Sequence, residues 1–349
     1  MSTSIPRKAY RIQAKKGRWS TGSLSALSLT EETLAPPQKG EVQVNVRAIG
    51  LNFADIFAIW GLYGATPEGS FVPGLEYAGI VGAVGVGVDH VKEGDRVMGV
   101  TRFGAYASHL NIDARYVIQL PEGWSFAEGS AYLVQVLTAY YGLKQLGDLQ
   151  SGQNVLIHSA AGGVGIWANR IAKQFGAYTI GTVGRAYKLD VLKQEGYNQG
   201  IVRSENFKQD LDRALGEEEL HLIMECIGGK IFSIGYDTLA PQGRMVVYGS
   251  ARYASVGNRP NYLRLLYQFL TRPKIDPQKM PEHNKSIMGF NLIWLYNRAE
   301  LMHQLLGELQ AFNLGRPVIG EQFAFEELHE AILRFQSGKT TGKLVVVLE

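Results

Sequence analysis

The sequence predicts an α/β protein in which a β-rich domain is interrupted by an inserted domain with a doubly wound parallel sheet. Three observations predict this fold. The first third of the chain alternates apolar and polar residues between closely spaced turn signals. From about residue 125, short apolar runs alternate with helical patterns, which is typical of a parallel sheet covered by helices. A glycine-rich turn at residues 159–165 joins one such run to the helix after it.

The composition fits a folded protein of about two domains. The chain has 349 residues, of which 46% are hydrophobic and 19% charged, and its net charge of +3 argues against a general nucleic-acid binder. A single cysteine, Cys226, excludes an intrachain disulfide and any multi-cysteine zinc site. We find no signal-peptide pattern and no apolar stretch of about 20 residues, so a cytoplasmic location is expected.

The β-rich domain is expected to include both ends of the chain. Residues 41–48 alternate with the period of a half-buried strand, and turn signals recur at Pro73–Gly74 and Gly94–Asp95. The tail from Phe323 returns to short elements and ends in a predicted strand at 343–348. We therefore predict that residues 1–127 and 293–349 form one domain and residues 128–292 the inserted one.

The inserted domain is predicted from alternating elements. Ser125 followed by Glu128 forms a capping-box pattern, which opens a helical stretch through about Leu146. After it, the apolar and helical patterns predict strands at 154–158, 178–183, 200–202, 222–224 and 245–248, and helices at 166–175 and 187–194.

The glycine turn matches the dinucleotide fingerprint, with Ala160 in the first glycine place, Gly162 in the second and Gly165 in the third. The second glycine allows the backbone to approach a pyrophosphate, and the third allows close packing of helix and strand. The N–H groups at the helix start then face the phosphates. The candidate cofactor-binding residues here are Ala161, Gly162, Gly163 and Val164. The alternative is a plain tight turn.

The residues after the second strand favour NADPH over NADH. NAD-binding sheets usually carry Asp or Glu at this strand end, whereas this chain has Gly184 and Arg185, with Lys188 one turn further on. Arg203, near the end of the next predicted strand, extends this basic group. Such cations are typical of a 2′-phosphate site. The alternative is that Arg185 and Lys188 only solvate a helix start.

Several motifs together resemble a known family: Gly50–Asp55, Gly61–Tyr63, Pro73–Gly79, Gly94–Val97 and the glycine turn. They resemble the zinc-free quinone oxidoreductase branch of the medium-chain dehydrogenase/reductase superfamily. Segments 247–250, 288–292 and 342–343 are most similar to its vesicle amine transport protein 1-like subgroup. The resemblance covers nearly the full length. It implies a GroES-like catalytic domain, an inserted Rossmann domain, a cleft between them, and a homodimer paired through an edge near residues 286–292.

The chain departs from the zinc-dependent members of that superfamily. Those enzymes place a cysteine ligand where Asn52 stands, a histidine where Leu75 stands, and a third ligand near Val134. They also carry a lobe with four structural cysteines, which this chain lacks. The seven histidines show no metal-ligand spacing. We therefore predict an enzyme without metal ligands.

The chemistry that needs no metal is hydride transfer to a conjugated acceptor. Zinc assists alcohol oxidation by polarising oxygen, whereas a quinone or enone delocalises the incoming charge itself. The sequence therefore predicts NADPH-dependent reduction of a small quinone or α,β-unsaturated carbonyl. Two alternatives stay open: a weakly active NADPH-binding protein that recruits a partner or membrane, and a 2-enoyl-thioester reductase.

The resemblance implies three candidate catalytic residues, Asn52, Asp55 and Tyr63. Asn52 is placed to hydrogen-bond a carbonyl or the nicotinamide amide, or else to cap the helix expected at 53–60. Asp55 either orients the site or strengthens that helix start. The Tyr63 hydroxyl either donates to a developing oxyanion or belongs to a packed loop.

The remaining candidates lie elsewhere around the expected cleft. Thr138 matches a family threonine that faces the cofactor, and its alternative is a helix-interior residue. Glu76 is expected to be buried and paired, and Cys226 to be an inert thiol. Further cofactor-binding candidates are Tyr248, Gly249 and Ser250, at a strand end where ligands bind, and Lys343, which could reach a phosphate.

Residues 256–285 do not fit a minimal reductase. Asn261–Leu270 is strongly apolar and aromatic, and basic residues flank it on both sides. We consider a lid over the acceptor site, a subunit interface, or a surface that lies on an anionic membrane, with the first two favoured.

Overall fold

The computed structural model describes residues 4–13 and 22–349. The strands among them are β1 (Ile5–Ile12), β2 (Leu27–Leu34), β3 (Glu41–Gly50), β4 (Glu76–Val84), β5 (Arg96–Val100), β6 (His109–Asp113), β7 (Val117–Gln119), β8 (Asn154–Ile157), β9 (Tyr178–Val183), β10 (Gln199–Val202), β11 (Leu220–Glu225), β12 (Leu239–Val247), β13 (Ser286–Gly289), β14 (Ile319–Ala324) and β15 (Lys343–Val347). The helices are α1 (Phe53–Ile59), α2 (Phe126–Gly129), α3 (Leu133–Tyr140), α4 (Gly163–Gln174), α5 (Leu189–Gln194), α6 (Phe207–Leu215), α7 (Gly229–Thr238), α8 (Tyr262–Leu270), α9 (Met280–His283), α10 (Ala299–Leu309) and α11 (Leu328–Gln336).

One domain is built on a mixed seven-stranded sheet. Its strands run in the order β14-β15-β3-β4-β5-β7, and β6 pairs with the far half of β3. The pairs are antiparallel except β14 with β15. The expected strand at 41–48 is confirmed and extends to Gly50. Val42, Val44 and Val46 are buried, as the alternation predicted.

The other domain is built on a six-stranded parallel sheet with the order β10-β9-β8-β11-β12-β13. The order reverses between β8 and β11, so the crevice at this point is the expected ligand site of a doubly wound sheet. All four residues of β8 are buried, because helices cover both faces of the sheet. The predicted α/β fold class is confirmed.

Along the chain, the strands of the mixed sheet come before and after the strands of the parallel sheet. Strands within residues 41–119 and 319–347 form the mixed sheet, and strands within residues 154–289 form the parallel sheet. This order is that of an inserted domain. The boundaries 1–127, 128–292 and 293–349 stay a prediction.

The helical stretch expected from Ser125 to Leu146 is wrong in one respect. The capping box is present, since the Ser125 N–H donates to Glu128 Oε2 at 2.7 Å. However, α2 ends at Gly129, α3 begins at Leu133, and a π-helical segment, Tyr141–Leu146, comes after it. The break redirects the chain, because α2 packs on β3 and β4 whereas α3 packs on α4. Both helices are apolar, so periodicity does not reveal the change of direction.

Candidate functional site

A cavity of about 660 Å³ lies in the cleft between the two sheets and takes residues from both domains. Its walls include the glycine turn, the ends of β9 and β12, helix α3, the start of α1 and the loop before β15. Most of the sequence-predicted site residues line it: Asn52, Tyr63, Thr138, Ala161, Gly162, Gly163, Val164, Gly184, Lys188, Arg203, Tyr248, Gly249, Ser250 and Lys343. Asp55 and Arg185 are absent from this lining.

The glycine turn has the backbone that phosphate binding requires. It comes directly after β8, and α4 begins at Gly163, so the first N–H groups of α4 face the cavity. A Cβ on Gly165 would lie 2.6 Å from Ala160 Cα and 2.6 Å from Ser159 O. Only glycine therefore allows the turn to pack this closely against the helix.

The loop before β15 is bound to the cofactor loops of the other domain. Gly342 N–H donates to Ala161 O at 2.8 Å. The Lys188 Nζ donates to Gly338 O at 2.8 Å and to Thr340 O at 2.5 Å. These bonds join the two domains directly at the glycine turn.

Two cations converge at the end of β9 without a carboxylate partner. Among the described residues, neither Lys188 nor Arg203 forms an ion pair with Asp or Glu. Burial, reinforced by Arg203, Arg185 and Arg334, lowers the pKa of Lys188 to about 8. Such a group of like charges favours an anion. Arg185 itself is exposed and lies outside the cavity wall.

The ends of β11 and β12 form another wall of the cavity. Burial raises the pKa of the Cys226 thiol, whose Sγ lies 3.4 Å from Ser159 Oγ, so the thiol stays protonated as expected of an inert cysteine. Thr138 lines the opposite wall, and its hydroxyl donates to Val134 O at 2.6 Å within α3. Thr138 is thus a residue of the helix interior that also lines the cavity, so the two interpretations are compatible.

A buried polar cluster of Asn52, Glu76, Gln135 and Lys343 lies at the base of the cavity. The Lys343 ammonium forms an ion pair with Glu76 and donates to Asn52 Oδ1 at 2.8 Å. The Asn52 amide donates to Glu76 Oε1 at 3.0 Å and to Gly50 O at 3.1 Å. The Gln135 amide donates to Asn52 Oδ1 at 2.8 Å. Every polar atom of the Asn52 side chain is thus engaged.

This cluster changes the expectation for Lys343. Lys343 was expected to reach a phosphate, but its buried ammonium is held by the Glu76 carboxylate, which supplies the counter-charge that burial demands. Asn52 was expected either to bind ligand or to cap a helix. It is the N-cap residue of α1, and its N–H donates to Asp55, while its side-chain amide is held within the cluster. Glu76 is paired, as predicted; its second carboxylate oxygen accepts from Val134 N–H at 3.2 Å.

The cluster contains or adjoins Asn52, Leu75 and Val134, the positions where the resemblance implies metal ligands in zinc-dependent members. Leu75 and Val134 offer no side-chain donor there, and the Asn52 amide is saturated by protein partners. Among residues 4–13 and 22–349, no group of three or more His, Cys, Asp or Glu side chains has the geometry to hold a metal ion. The residues present do not fit a zinc site.

Asp55 lies behind the cavity wall and not in it. Its Oδ2 accepts from Asn52 N–H at 2.8 Å and from the Tyr106 hydroxyl at 2.9 Å. Burial raises the pKa of Asp55 to about 7. Asp55 thus strengthens the start of α1, which was the second alternative for this residue, and its carboxyl group does not line the cavity. Its catalytic role stays a prediction.

Tyr63 points across the cleft toward the other domain. Its hydroxyl donates to Asn291 Oδ1 at 2.8 Å, and both residues line the cavity. Burial raises the pKa of Tyr63 to about 12, so the phenol keeps its proton at neutral pH. Asn291 was not singled out from the sequence. Its only signal was its place in the motif Gly289-Phe290-Asn291.

An apolar arm of the cavity was also missed. Its walls include Leu301, Met302 and Leu305 of α10, and Tyr116 stacked on Tyr296 with ring centroids 4.1 Å apart. On the sequence, the spacing of the α10 residues is that of an ordinary core helix. Their contribution to a cavity depends on how α10 packs against α3.

The segment 256–285 presents helix α8 to the surface. Leu263, Leu266, Tyr267 and Leu270 are each more than half exposed. No residue of α8 lines the cavity, which argues against α8 as a lid. Within the described residues, no helix is both long and apolar enough to cross a bilayer.

Comparison with known protein families matches both domains. The Alcohol dehydrogenase GroES-like domain family matches residues 38–122, and the Zinc-binding dehydrogenase family matches residues 163–298. The human synaptic vesicle membrane protein VAT-1 homolog is 32% identical over 331 residues, covering 93% of this chain and 84% of the relative. The quinone oxidoreductase-like protein 2 of Bos taurus is 32% identical over 331 residues, covering 93% of this chain and 89% of the relative.

Solved structures of similar proteins superpose on nearly the whole chain. The crystal structure of the human VAT-1 homolog-like protein superposes with a TM-score of 0.82 at 27% identity, covering 100% of this chain and 99% of that one. Escherichia coli quinone oxidoreductase complexed with NADPH gives 0.83 at 27% identity, covering 97% and 99%. The quinone oxidoreductase of Thermus thermophilus, also solved with NADPH, gives 0.78 at 28% identity, covering 98% and 100%.

Proposed function

Because the chain belongs to the medium-chain dehydrogenase/reductase superfamily, in its quinone oxidoreductase branch near the VAT-1 homologs, we propose that it is a zinc-independent reductase of quinones or α,β-unsaturated carbonyls. The chain is an oxidoreductase whose cofactor is NADPH. One observation carries the proposal. A single cavity is lined by the glycine turn, by cations without carboxylate partners among the described residues, by apolar side chains of α10 and by the protonated phenol of Tyr63.

The cofactor half of the cavity fits NADPH by the chemistry of its residues. The N–H groups at the start of α4 suit the pyrophosphate, and Lys188 and Arg203 suit the 2′-phosphate. Thr138 and the strand end at 248–250 complete the walls. When bound, NADPH supplies a hydride to an electron-poor carbon.

In the part of the cavity that we assign to the acceptor, protein side chains stabilise the negative charge that develops on the acceptor oxygen. The Tyr63 phenol is protonated at neutral pH and directs its one proton to Asn291 Oδ1. When an acceptor binds, the O–H turns from Asn291 to the acceptor oxygen and donates to it as negative charge develops there. The apolar side chains of α10 exclude water, which strengthens this interaction.

Zinc independence is supported by the cluster at the base of the cavity. Lys343 and Glu76 neutralise each other there, and Asn52 and Gln135 satisfy their remaining bonds. A conjugated acceptor does not need the polarisation that zinc supplies to an alcohol. We therefore expect full turnover in the presence of a chelator.

The decisive experiment monitors NADPH absorbance with metal-stripped protein and 1,4-benzoquinone, 1,2-naphthoquinone, 1,4-naphthoquinone and a simple enone. We expect turnover that survives EDTA and is lost with saturated ketones. A 2-enoyl thioester in the same panel tests the third activity considered, since the apolar arm would also receive a short acyl chain. Tight NADPH binding without turnover on any acceptor would contradict the reductase proposal.

A second candidate function is supported by the exposed apolar face of α8. In that case NADPH binds as a structural or regulatory ligand, and the surface at 256–285 recruits a partner or an anionic membrane. Basic residues lie within α8 and along the chain on both sides of it: Arg259, Arg264, Arg272, Lys274, Lys279 and Lys285. Acceptor-dependent NADPH oxidation separates the two functions.

The homodimer and the cytoplasmic location stay predictions. β13 forms one edge of the parallel sheet and pairs only with β12 among the described strands. An unpaired edge of this kind is a ready site for pairing with a second copy. Sedimentation velocity on the purified chain checks the dimer, for which we expect a single species of twice the chain mass.

A further inference from the structure

A buried row of four side chains crosses four adjacent strands of the parallel sheet at their carboxyl ends. The strands are β10, β9, β8 and β11, in that spatial order. The residues, in the same order, are Arg203, Thr182, His158 and Glu225. His158, Thr182 and Glu225 have no exposed surface, whereas Arg203 lines the cavity.

Hydrogen bonds link the first three residues of the row. The Arg203 guanidinium donates through Nη1 to Thr182 O at 3.1 Å and to Thr182 Oγ1 at 2.9 Å. Thr182 Oγ1 lies 2.7 Å from His158 Nδ1. His158 Nε2 lies 3.2 Å from Glu225 Oε2 without hydrogen-bond geometry, and both of these buried atoms have no hydrogen-bond partner among the described residues. Glu225 Oε1 accepts from the N–H groups of Ile227 and Gly228.

The direction of the first hydrogen bond in the row is fixed, because arginine only donates and Thr182 Oγ1 therefore accepts from Arg203. The same hydroxyl and His158 Nδ1 share the next hydrogen bond, and either atom can supply its proton. Burial and the neighbouring Arg203 lower the pKa of His158 to about 3, so the imidazole stays neutral.

The row binds the Arg203 guanidinium through Nη1, and Arg203 also lines the cavity. A Cβ on Gly184 would lie 3.2 Å from Arg203 Nη2, so this glycine leaves the room that the guanidinium occupies. Arginine has five N–H donors, and the row uses only those on Nη1. The others are available to an anion at the end of β9.

We infer that Thr182, His158 and Glu225 are positioning residues that orient Arg203 toward the 2′-phosphate and thereby set the preference for NADPH over NADH. This inference rests on the proposed assignment of Arg203 to the phosphate site. A row that served only the stability of the sheet would not need to end on a cation in the cavity wall without a carboxylate beside it.

The test compares Thr182→Val, which keeps the shape and removes the hydroxyl, with Thr182→Ser, which keeps the hydroxyl. Dissociation constants for NADPH and NADH are measured by calorimetry on the full chain, with 2′-AMP and 5′-AMP as probes of the phosphate site alone. Thr182→Val is expected to weaken NADPH and 2′-AMP about tenfold, the loss typical of a misaligned charge-assisted hydrogen bond. NADH and 5′-AMP should change less than about twofold, and Thr182→Ser should behave as the unmodified chain.

The other outcomes distinguish a failure of the positioning inference from a failure of the phosphate-site assignment. An equal loss of NADPH and NADH binding in Thr182→Val would overturn the inference and leave the row a structural element. If Arg203→Ala does not alter the NADPH-to-NADH ratio, the phosphate-site assignment itself is wrong. If Arg203→Ala lowers the ratio and Thr182→Val does not, only the positioning role is wrong.

A second variant covers the case in which Thr182→Val does not fold. Gly184→Ala pushes on the Arg203 guanidinium from the opposite side and leaves the buried row intact. It should lower the NADPH-to-NADH affinity ratio in the same direction. An unchanged ratio in a folded Gly184→Ala protein would overturn the inference.

Discussion

At the scale of single residues, the fold changes the chemistry of side chains whose types were evident in the sequence. Lys188 was identified as a phosphate cation from its place after the second parallel strand. The tertiary structure adds that its ammonium is half-buried near other cations and donates to the carbonyls of residues 338 and 340. Two of its three N–H donors are thus used, and one remains for an anion.

Lys188 predicts a pH dependence for NADPH binding. Its pKa in the folded protein is about 8, lowered from the ordinary lysine value, so the ammonium is charged below about pH 8 and neutral above it. Raising the pH from about 7 to about 9.5 should weaken NADPH several-fold, since the 2′-phosphate loses a cation, and should leave NADH unchanged. Titrating both nucleotides with the unmodified chain and with Lys188→Met checks this.

In Lys188→Met the extra pH dependence should disappear. Lys193→Met is the matched control, because Lys193 is exposed, lies outside the cavity wall and does not contribute to the lowered pKa of Lys188. A pH profile that stays identical in the unmodified chain and in Lys188→Met would contradict the prediction.

Tyr63 predicts a separation between binding and turnover. Tyr63→Phe removes the phenol that donates to the acceptor oxygen, so kcat/KM for a quinone should fall about tenfold to a hundredfold. The NADPH dissociation constant should stay within about twofold, since the cofactor wall is untouched. Steady-state kinetics with calorimetry measure both.

Tyr178→Phe serves as the control for Tyr63→Phe. Tyr178 begins β9, is partly exposed and does not line the cavity. If Tyr63→Phe kept the full kcat/KM, Tyr63 would belong to the packed-loop interpretation instead.

At the scale of elements, the glycine turn requires glycine where the start of α4 packs against the backbone after β8. The third fingerprint glycine, Gly165, lies in the first turn of α4, directly against the backbone of Ala160. The turn therefore connects strand and helix and aims the helix N-terminus at the cavity. Because this close approach requires glycine at position 165, the motif could be recognised from the sequence.

Gly165→Ala should displace this turn. The added Cβ would lie 2.6 Å from backbone atoms that cannot move independently, so we expect a loss of about 1–3 kcal/mol in the free energy of unfolding. NADPH binding should weaken at least tenfold, because the N–H groups of α4 would shift. Thermal unfolding and calorimetry measure the two effects.

Gly307→Ala is the matched control in another helix. A Cβ there meets no atom within 4 Å, so the variant should gain about 0.5–1 kcal/mol from the better helix propensity of alanine. Unchanged stability and NADPH binding in Gly165→Ala would contradict the packing argument.

At the scale of the whole molecule, two surfaces of the parallel-sheet domain are unpartnered among the described residues. One is the β13 edge, and the other is the apolar face of α8. Neither α8 nor the basic residues on both sides of it along the chain contribute to the cavity. The two functions proposed for this chain therefore act through separate parts of its surface.

A double change on α8 tests this separation. Leu263→Glu with Leu266→Glu should leave NADPH oxidation within about twofold, because these side chains are exposed and lie outside the cavity wall. Self-association or pelleting with anionic vesicles should fall, and sedimentation velocity and vesicle pelleting measure both.

Val86→Glu is the control, since Val86 is an isolated exposed residue on the other domain. If the double variant behaved like Val86→Glu in both assays, the second candidate function would lose its support.

The fold class and the cofactor were predictable because they depend on local sequence patterns. Strand and helix periods, the capping box at Ser125 and the spacing of the glycine turn all depend on neighbours a few residues apart. The preference for NADPH was likewise predicted from local cations and a missing carboxylate.

The rest depended on contacts between residues far apart in the chain. The pair of Lys343 with Glu76, the bond from Tyr63 to Asn291 and the row from Arg203 to Glu225 each join distant segments. No periodicity reports such contacts. Burial then decides their consequences, because a group removed from water must find its partners inside the protein, and only the packing of the two domains determines which partners those are.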